Sequence, residues 1–120
     1  MAAVIAALVI FVIVFHLWAM ALEMFFWTKP LGRKTFGLSK EDAEVSKTLA
    51  ANQGLYNGFL AAGLALSLLV PNPDTAFTLQ VFFLACVSLA GLFGGMTAKM
   101  SILFVQGLPA MVALALLLLG

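Results

Sequence analysis

Charge is what this 120-residue sequence has least of. Asp, Glu, Lys and Arg together make up 9% of it, hydrophobic residues make up 64%, and the mean hydropathy is +1.16. A soluble domain carries about 25% charged residues, so a chain this poor in charge cannot cover a surface that faces water. The net charge is only +1 and no basic patch is interleaved with aromatic residues, which excludes nucleic acid as a partner. Cysteine is nearly absent as well. Cys86 alone forms no intramolecular disulfide and gives no basis for a metal or redox site, so neither a metal nor a cofactor is expected. The apolar runs are unbroken rather than alternating, which excludes membrane-spanning strands.

What is present is four apolar segments, each near the ~20 residues needed to cross a ~30 Å hydrocarbon core. The expected fold is an all-α integral membrane protein, a four-transmembrane-helix antiparallel bundle forming a single domain over 1–120. Its helices are expected at about 2–27, 40–70, 75–97 and 100–119. The first apolar run has no basic region before it and is longer than the 7–15-residue core of a signal peptide, so it is read as a helix. Trp27, an interfacial anchor, and then Lys29, Pro30 and Gly32 mark its end. Residues 28–38 are read as a basic loop. Ser39 offers an N-cap to the second helix, with Asp42 completing a near capping box. Asp74 or Thr75 is positioned to cap the third helix after the Pro71–Pro73 turn. In the fourth, Pro109 has no N–H to donate to Val105 and should bend the helix.

All six Lys and Arg residues fall in two connections: Lys29, Arg33, Lys34, Lys40 and Lys47 in one, Lys99 in the other. In a four-span chain both lie on one side, and the positive-inside rule makes that side cytoplasmic. The expected location is the bacterial cytoplasmic (inner) membrane, with the basic loop 28–47 inside and both termini outside. Gly54 and Gly58, continued by Ala62, and Gly91 and Gly95 with Ser88 and Gly94 nearby, form small-residue rows suited to close helix contact.

The candidate site is a polar layer. Asn52, Gln53, Tyr56 and Asn57 occupy an arc of ~140° at 100° per residue, with Ala50, Gly54, Gly58 and Ala61 on the adjoining arc. His16 and Glu23, seven residues apart, share one face of the first helix. A rise of 1.5 Å per residue puts Asn52 to Asn57 about 8–15 Å inside the flanking basic residues, Glu23 about 9 Å, Gln106 about 10 Å and His16 about 20 Å. An acid, amides from two helices and a phenol thus share one level. The plainer alternatives are that the amides only link helices, that Glu23 reaches back to Lys29, Arg33 or Lys34, and that His16 is a satisfied buried group.

The run Asn52-Gln53-Gly54-Leu55-Tyr56-Asn57-Gly58-Phe59-Leu60-Ala61 resembles the signature of the small bacterial membrane proteins grouped as "domain of unknown function 1304". The order of His16 and Glu23, the glycine-rich end of the third helix, and Gln106-Gly107-Leu108-Pro109-Ala110 are similar to that family too. The resemblance implies a four-helix membrane protein of this length. Small multidrug resistance transporters also have an acid in the first of four helices, though Glu23 lies nearer the helix end. The four-helix glutathione and eicosanoid enzymes carry polar residues in their second helix, loosely like Asn52, but use intramembrane Arg, which this chain lacks.

The reading that follows is binding or transport of a small or lipophilic molecule, with Glu23 as the titratable group, Asn52, Gln53, Asn57 and Gln106 as hydrogen-bonding partners, and Tyr56 as a wall or donor. The alternatives are a membrane enzyme using Glu23 and His16 as acid and base, or an assembly protein whose polar layer only fixes helix register. Beyond the lipid bilayer, the expected partner is a second or third copy, in a homodimer or homotrimer.

Overall fold

Prolines and caps decide where the helices of this chain begin and end. The computed structural model describes residues 1–120 and is all-helical: α1 (Ala2–Phe25), α2 (Pro30–Phe36), α3 (Lys40–Leu69), α4 (Pro73–Thr97), α5 (Met100–Ile102), a π-helical segment (Leu103–Gly107) and α6 (Leu108–Leu119). The first helix stops two residues before the expected Trp27. Lys29, which precedes Pro30, is extended at φ −84° and ψ 162°, because a following proline disfavours the helical region. The Lys29 N–H closes the turn onto the Phe26 carbonyl at 3.1 Å.

The segment expected to be loop contains α2 instead. Pro30 opens it, and Gly37 closes it in the left-handed conformation at φ 66°, a proline-first, glycine-last helix. The expected cap of α3 is present, with Asp42 N–H donating to Ser39 Oγ at 3.0 Å. The cap of α4 is neither Asp74 nor Thr75. Both donate their N–H groups, at 3.0 Å each, to Asn72 Oδ1. Pro73 holds Asn72 extended, at φ −75° and ψ 119°, which is the geometry of an N-cap.

Pro109 has a local consequence of a particular kind. Just before it the chain widens into the π-helical segment, and the Leu108 N–H bonds five residues back to the Leu103 carbonyl. A change of register next to a proline is one recognised way for a helix to absorb the missing donor.

Three segments are long and apolar enough to cross a membrane: Ala2–Phe25, Pro73–Thr97 and Met100–Leu119. The long helix α3 is not among them, because Asn52, Gln53, Tyr56 and Asn57 interrupt its apolar run.

The chain divides into two units, residues 1–15 with 60–120 and residues 16–59. In the first, Val9 and Val12 of α1, Leu64 of α3, Leu84 and Val87 of α4, and Ala110 and Ala113 of α6 form the buried core. Its buried hydroxyls are satisfied locally: Ser67 donates to the Leu64 carbonyl at 2.5 Å and Ser88 to the Leu84 carbonyl at 2.7 Å. The expected glycine row on α4 is a packing surface. A Cβ at Gly91 would collide with the backbone of Gly107, while one at Gly94 would meet only the Ile102 side chain, at 2.8 Å. Ala62, expected to extend the Gly54–Gly58 row, is exposed.

Backbone cannot move aside as a side chain can. Gly91→Ala is therefore expected to cost about 1–3 kcal/mol, the usual range for overpacking. Gly94→Ala should cost less than Gly91→Ala, because it meets a single side-chain methyl rather than backbone. Thermal unfolding in detergent measures both, and equal losses would contradict the backbone contact.

Candidate ligand-binding site

The site lies in the unit formed by residues 16–59 and starts from two glycines. A Cβ at Gly54 would meet Met24 Cγ at 2.8 Å, Glu23 Cβ at 3.0 Å and the Met20 carbonyl oxygen at 3.2 Å; one at Gly58 would meet Met20 Sδ at 2.7 Å. With no side chain at either position, α3 comes close to the last turns of α1, as small-residue rows allow. Ala50, beside them on the same face, is buried.

This approach puts Asn57, one turn beyond Gly54, within reach of Glu23. Asn57 Nδ2 donates to Glu23 Oε1, and Glu23 is only 5% exposed. No salt bridge joins Glu23 to Lys29, Arg33 or Lys34; the one salt bridge of the structure joins Lys47 to Glu44 on α3. The carboxyl is thus held by an amide of the neighbouring helix. Hydrogen bonds of this kind between apolar helices contribute about 0.6–2 kcal/mol each. Removing one partner and leaving the other buried costs about 1–3 kcal/mol.

The end of α1 is fixed by a second polar contact. Trp27 Nε1 donates to Ser46 Oγ at 3.0 Å, and Ser46 Oγ donates in turn to the Asp42 carbonyl at 2.6 Å. The indole also lies against Phe36, with ring centroids 4.8 Å apart. A Cβ at Gly32 would collide with the backbone of Phe26 and Trp27, so α2 is packed directly against this turn.

Glu23 and Trp27 both line an open-sided cleft of about 320 Å³. Its lining includes Glu23, the hydroxyl residues Thr28 and Thr48, and the apolar and aromatic residues Met24, Phe25 and Trp27. Lys47 and Ala51 complete the lining. The volume is at the small end of ligand pockets, which run from about 300 to 1,000 Å³. A carboxyl beside hydroxyls and an indole suits a hydrogen-bond donor or a cation with a small apolar body.

Of the residues singled out in the sequence, the structure joins Asn57 to Glu23 and leaves Asn52, Gln53 and Tyr56 on the outside of α3. The reason is the width of their arc. With Gly54 turned towards α1, 100° per residue puts Asn52 and Tyr56 about 160° away from it. His16 is buried on the Glu23 face of α1, two turns earlier, about 10 Å along the axis. Gln106 is half-buried in the π-helical segment, in the other unit. Sequence reasoning missed Thr28, Ser46, Lys47 and Thr48. Trp27 and Ser46 are nineteen positions apart, a pairing for which the sequence carries no periodic signal.

Filling the glycine contact should open the site. Gly54→Leu is expected to destabilise the protein by about 1–3 kcal/mol. Ala62→Leu, which adds one carbon fewer at an exposed position of α3, should stay within about 0.5 kcal/mol. Thermal unfolding of the two variants side by side tests this, and equal stabilities would mean that α1 and α3 do not meet at Gly54.

Comparison with known proteins bears on this arrangement. The family described as "Protein of unknown function (DUF1304)" matches residues 10–118. The "Uncharacterized protein YpaA" of Lactococcus lactis is 31% identical over 97 residues, covering 79% of this chain and 80% of that protein. No solved structure matches. The matched range takes in Glu23, Asn57 and the π-helical segment, and the chain belongs to the DUF1304 family.

Proposed function

We propose that this chain is a four-helix membrane protein that binds a small amphiphilic molecule, cationic or rich in hydrogen-bond donors, at Glu23. The observation that carries the reading is that Glu23, only 5% exposed and held by one amide, lines an open cleft together with Thr28, Thr48 and Trp27. A purely structural polar link has no need of an adjoining cavity, and ionisable groups in apolar helices mark ligand or ion paths.

The fourth span in this reading is α3. Its 30 residues extend about 45 Å at 1.5 Å per residue, which is enough to cross ~30 Å of hydrocarbon and still project its charged first turns into water. The polar residues that lower its hydropathy are those that build the site and its outer face. The helices then alternate in direction, and the connections holding all the Lys and Arg face the cytoplasm. The cleft opens near that side, beside Trp27 and Lys47, so its ligand enters from the cytoplasmic headgroup region of the inner membrane. Transport would follow from the same site if the ligand is released on the other face.

Trp27 makes binding observable. With Trp18→Phe as background, Trp27 is the remaining tryptophan. Titrating this full-length protein in detergent with hexylammonium should change its fluorescence to saturation. Glu23→Gln is expected to weaken that binding at least tenfold, or about 1.4 kcal/mol. Unchanged affinity in Glu23→Gln would remove Glu23 from the site.

A further inference from the structure

The outer face of α3 is wrongly made for the surroundings that each of its parts would meet alone. Val45, Leu49, Asn52, Tyr56 and Phe59 recur at intervals of four, three, four and three residues. At 100° per residue they stay within about 80° of one another. All five are exposed, Val45 by 86%, Leu49 by 76%, and Tyr56 and Phe59 by 55% each. Val45 and Leu49 flank the charged turns that carry Glu41, Asp42 and the Glu44–Lys47 ion pair, where the chain meets water. Asn52 and Tyr56 lie further along, in the part that enters hydrocarbon, with Gln53 beside them. The stripe is apolar where water would cover it and carries Asn52 and Tyr56 where lipid would cover it. A protein surface suits both halves, since it can bury Val45 and Leu49 and also hydrogen-bond Asn52 and Tyr56.

We infer that this stripe is a homodimer seam, in which α3 of one copy packs against α3 of a second copy in parallel about an axis normal to the membrane. The occupant follows from the chemistry of the stripe. An Asn amide has both a donor and an acceptor and is complementary to itself, and Tyr56 adds a hydroxyl with the same property. Two copies with the same topology present α3 in the same direction, so a two-fold axis puts each residue of the seam opposite its own counterpart. A spacing of four and three with a polar Asn inside an otherwise apolar and aromatic row is the pattern by which paired parallel helices fix their register. The face towards α1 is already filled by Gly54, Gly58 and Asn57, so the seam and the Glu23 cleft use different sides of one helix. Pairing would hold α3, and with it Asn57, in place at the cleft. The inference rests on the reading of α3 as a membrane span.

Cysteine cross-linking tests it in the full chain, in bacterial membranes, with Cys86→Ser as background. Leu49→Cys, Asn52→Cys and Tyr56→Cys should each give a disulfide-linked species of twice the monomer mass with copper phenanthroline. Phe93→Cys, 70% exposed on α4, should stay monomeric under the same oxidation. The parent protein, with none of these changes, should have the mass of two chains by native mass spectrometry. Monomer mass for the parent, equal cross-linking at Phe93 and at the stripe, or a cross-linked species of another mass would overturn the seam. Maleimide labelling of Lys34→Cys and Asp74→Cys separates this from failure of the reading beneath it. Labelling from opposite faces of the membrane supports α3 as a span, and labelling from the same face overturns both the span and the seam. Loss of hexylammonium binding alone leaves the seam standing.

Discussion

A carboxyl group in the last turns of an apolar helix must be given a hydrogen-bond donor, and the unit formed by residues 16–59 is arranged around meeting that need at Glu23. The donor is the amide of Asn57, thirty-four positions later. The amide reaches only because Gly54 and Gly58 let the α3 backbone come up against Met20, Glu23 and Met24. The approach of the helices and the hydrogen bond thus depend on each other. The contact of Trp27 with Ser46 and Phe36 fixes the end of α1 on the first turns of α3. The cleft is lined by members of both contacts, Glu23 and Trp27, together with Thr28 and Thr48.

The other unit meets a similar demand without a charged group. Its buried hydroxyls, Ser67 and Ser88, bond to carbonyls of their own helices and need nothing from neighbours. Its closest approach is again glycine on helix, Gly91 against Gly107. Gly107 is also the last residue of the π-helical segment that precedes Pro109. One short stretch therefore absorbs a missing backbone donor and gives α4 its contact surface. The core of Val9, Val12, Leu64, Leu84 and Val87 is formed by apolar side chains.

Much of this could be read from the sequence where the signal is local. Unbroken apolar runs marked the helices, Ser39 marked the start of α3, and the glycine rows marked contact surfaces. The segment read as the second span is α3, which is less apolar than the other three because the residues that give it chemistry lower its hydropathy. The Pro30–Phe36 helix was obscured because Pro30 and Gly32 also serve as signals for the end of α1. Asn72 took the cap of α4 because Pro73 fixed its backbone, an effect that lies just before Asp74 and Thr75, the expected caps. The polar layer was visible as a group, but which member turns inward was not. Four polar residues spread over so wide an arc cannot all face one neighbour, and only the packing of Gly54 selects Asn57. The Trp27–Ser46 bond and the cleft walls belong to tertiary structure alone.

The central claim is that the Glu23–Asn57 hydrogen bond joins α1 to α3, and a double-mutant cycle measures it directly. Glu23→Leu, Asn57→Leu and the double variant would be compared with the parent protein by equilibrium unfolding in detergent. Each single change leaves a buried polar group without its partner, whereas the double change leaves none. The account predicts that the double variant is more stable than the sum of the single losses implies, by about 0.5–3 kcal/mol. Strictly additive losses would show that the two side chains do not interact and would contradict the account.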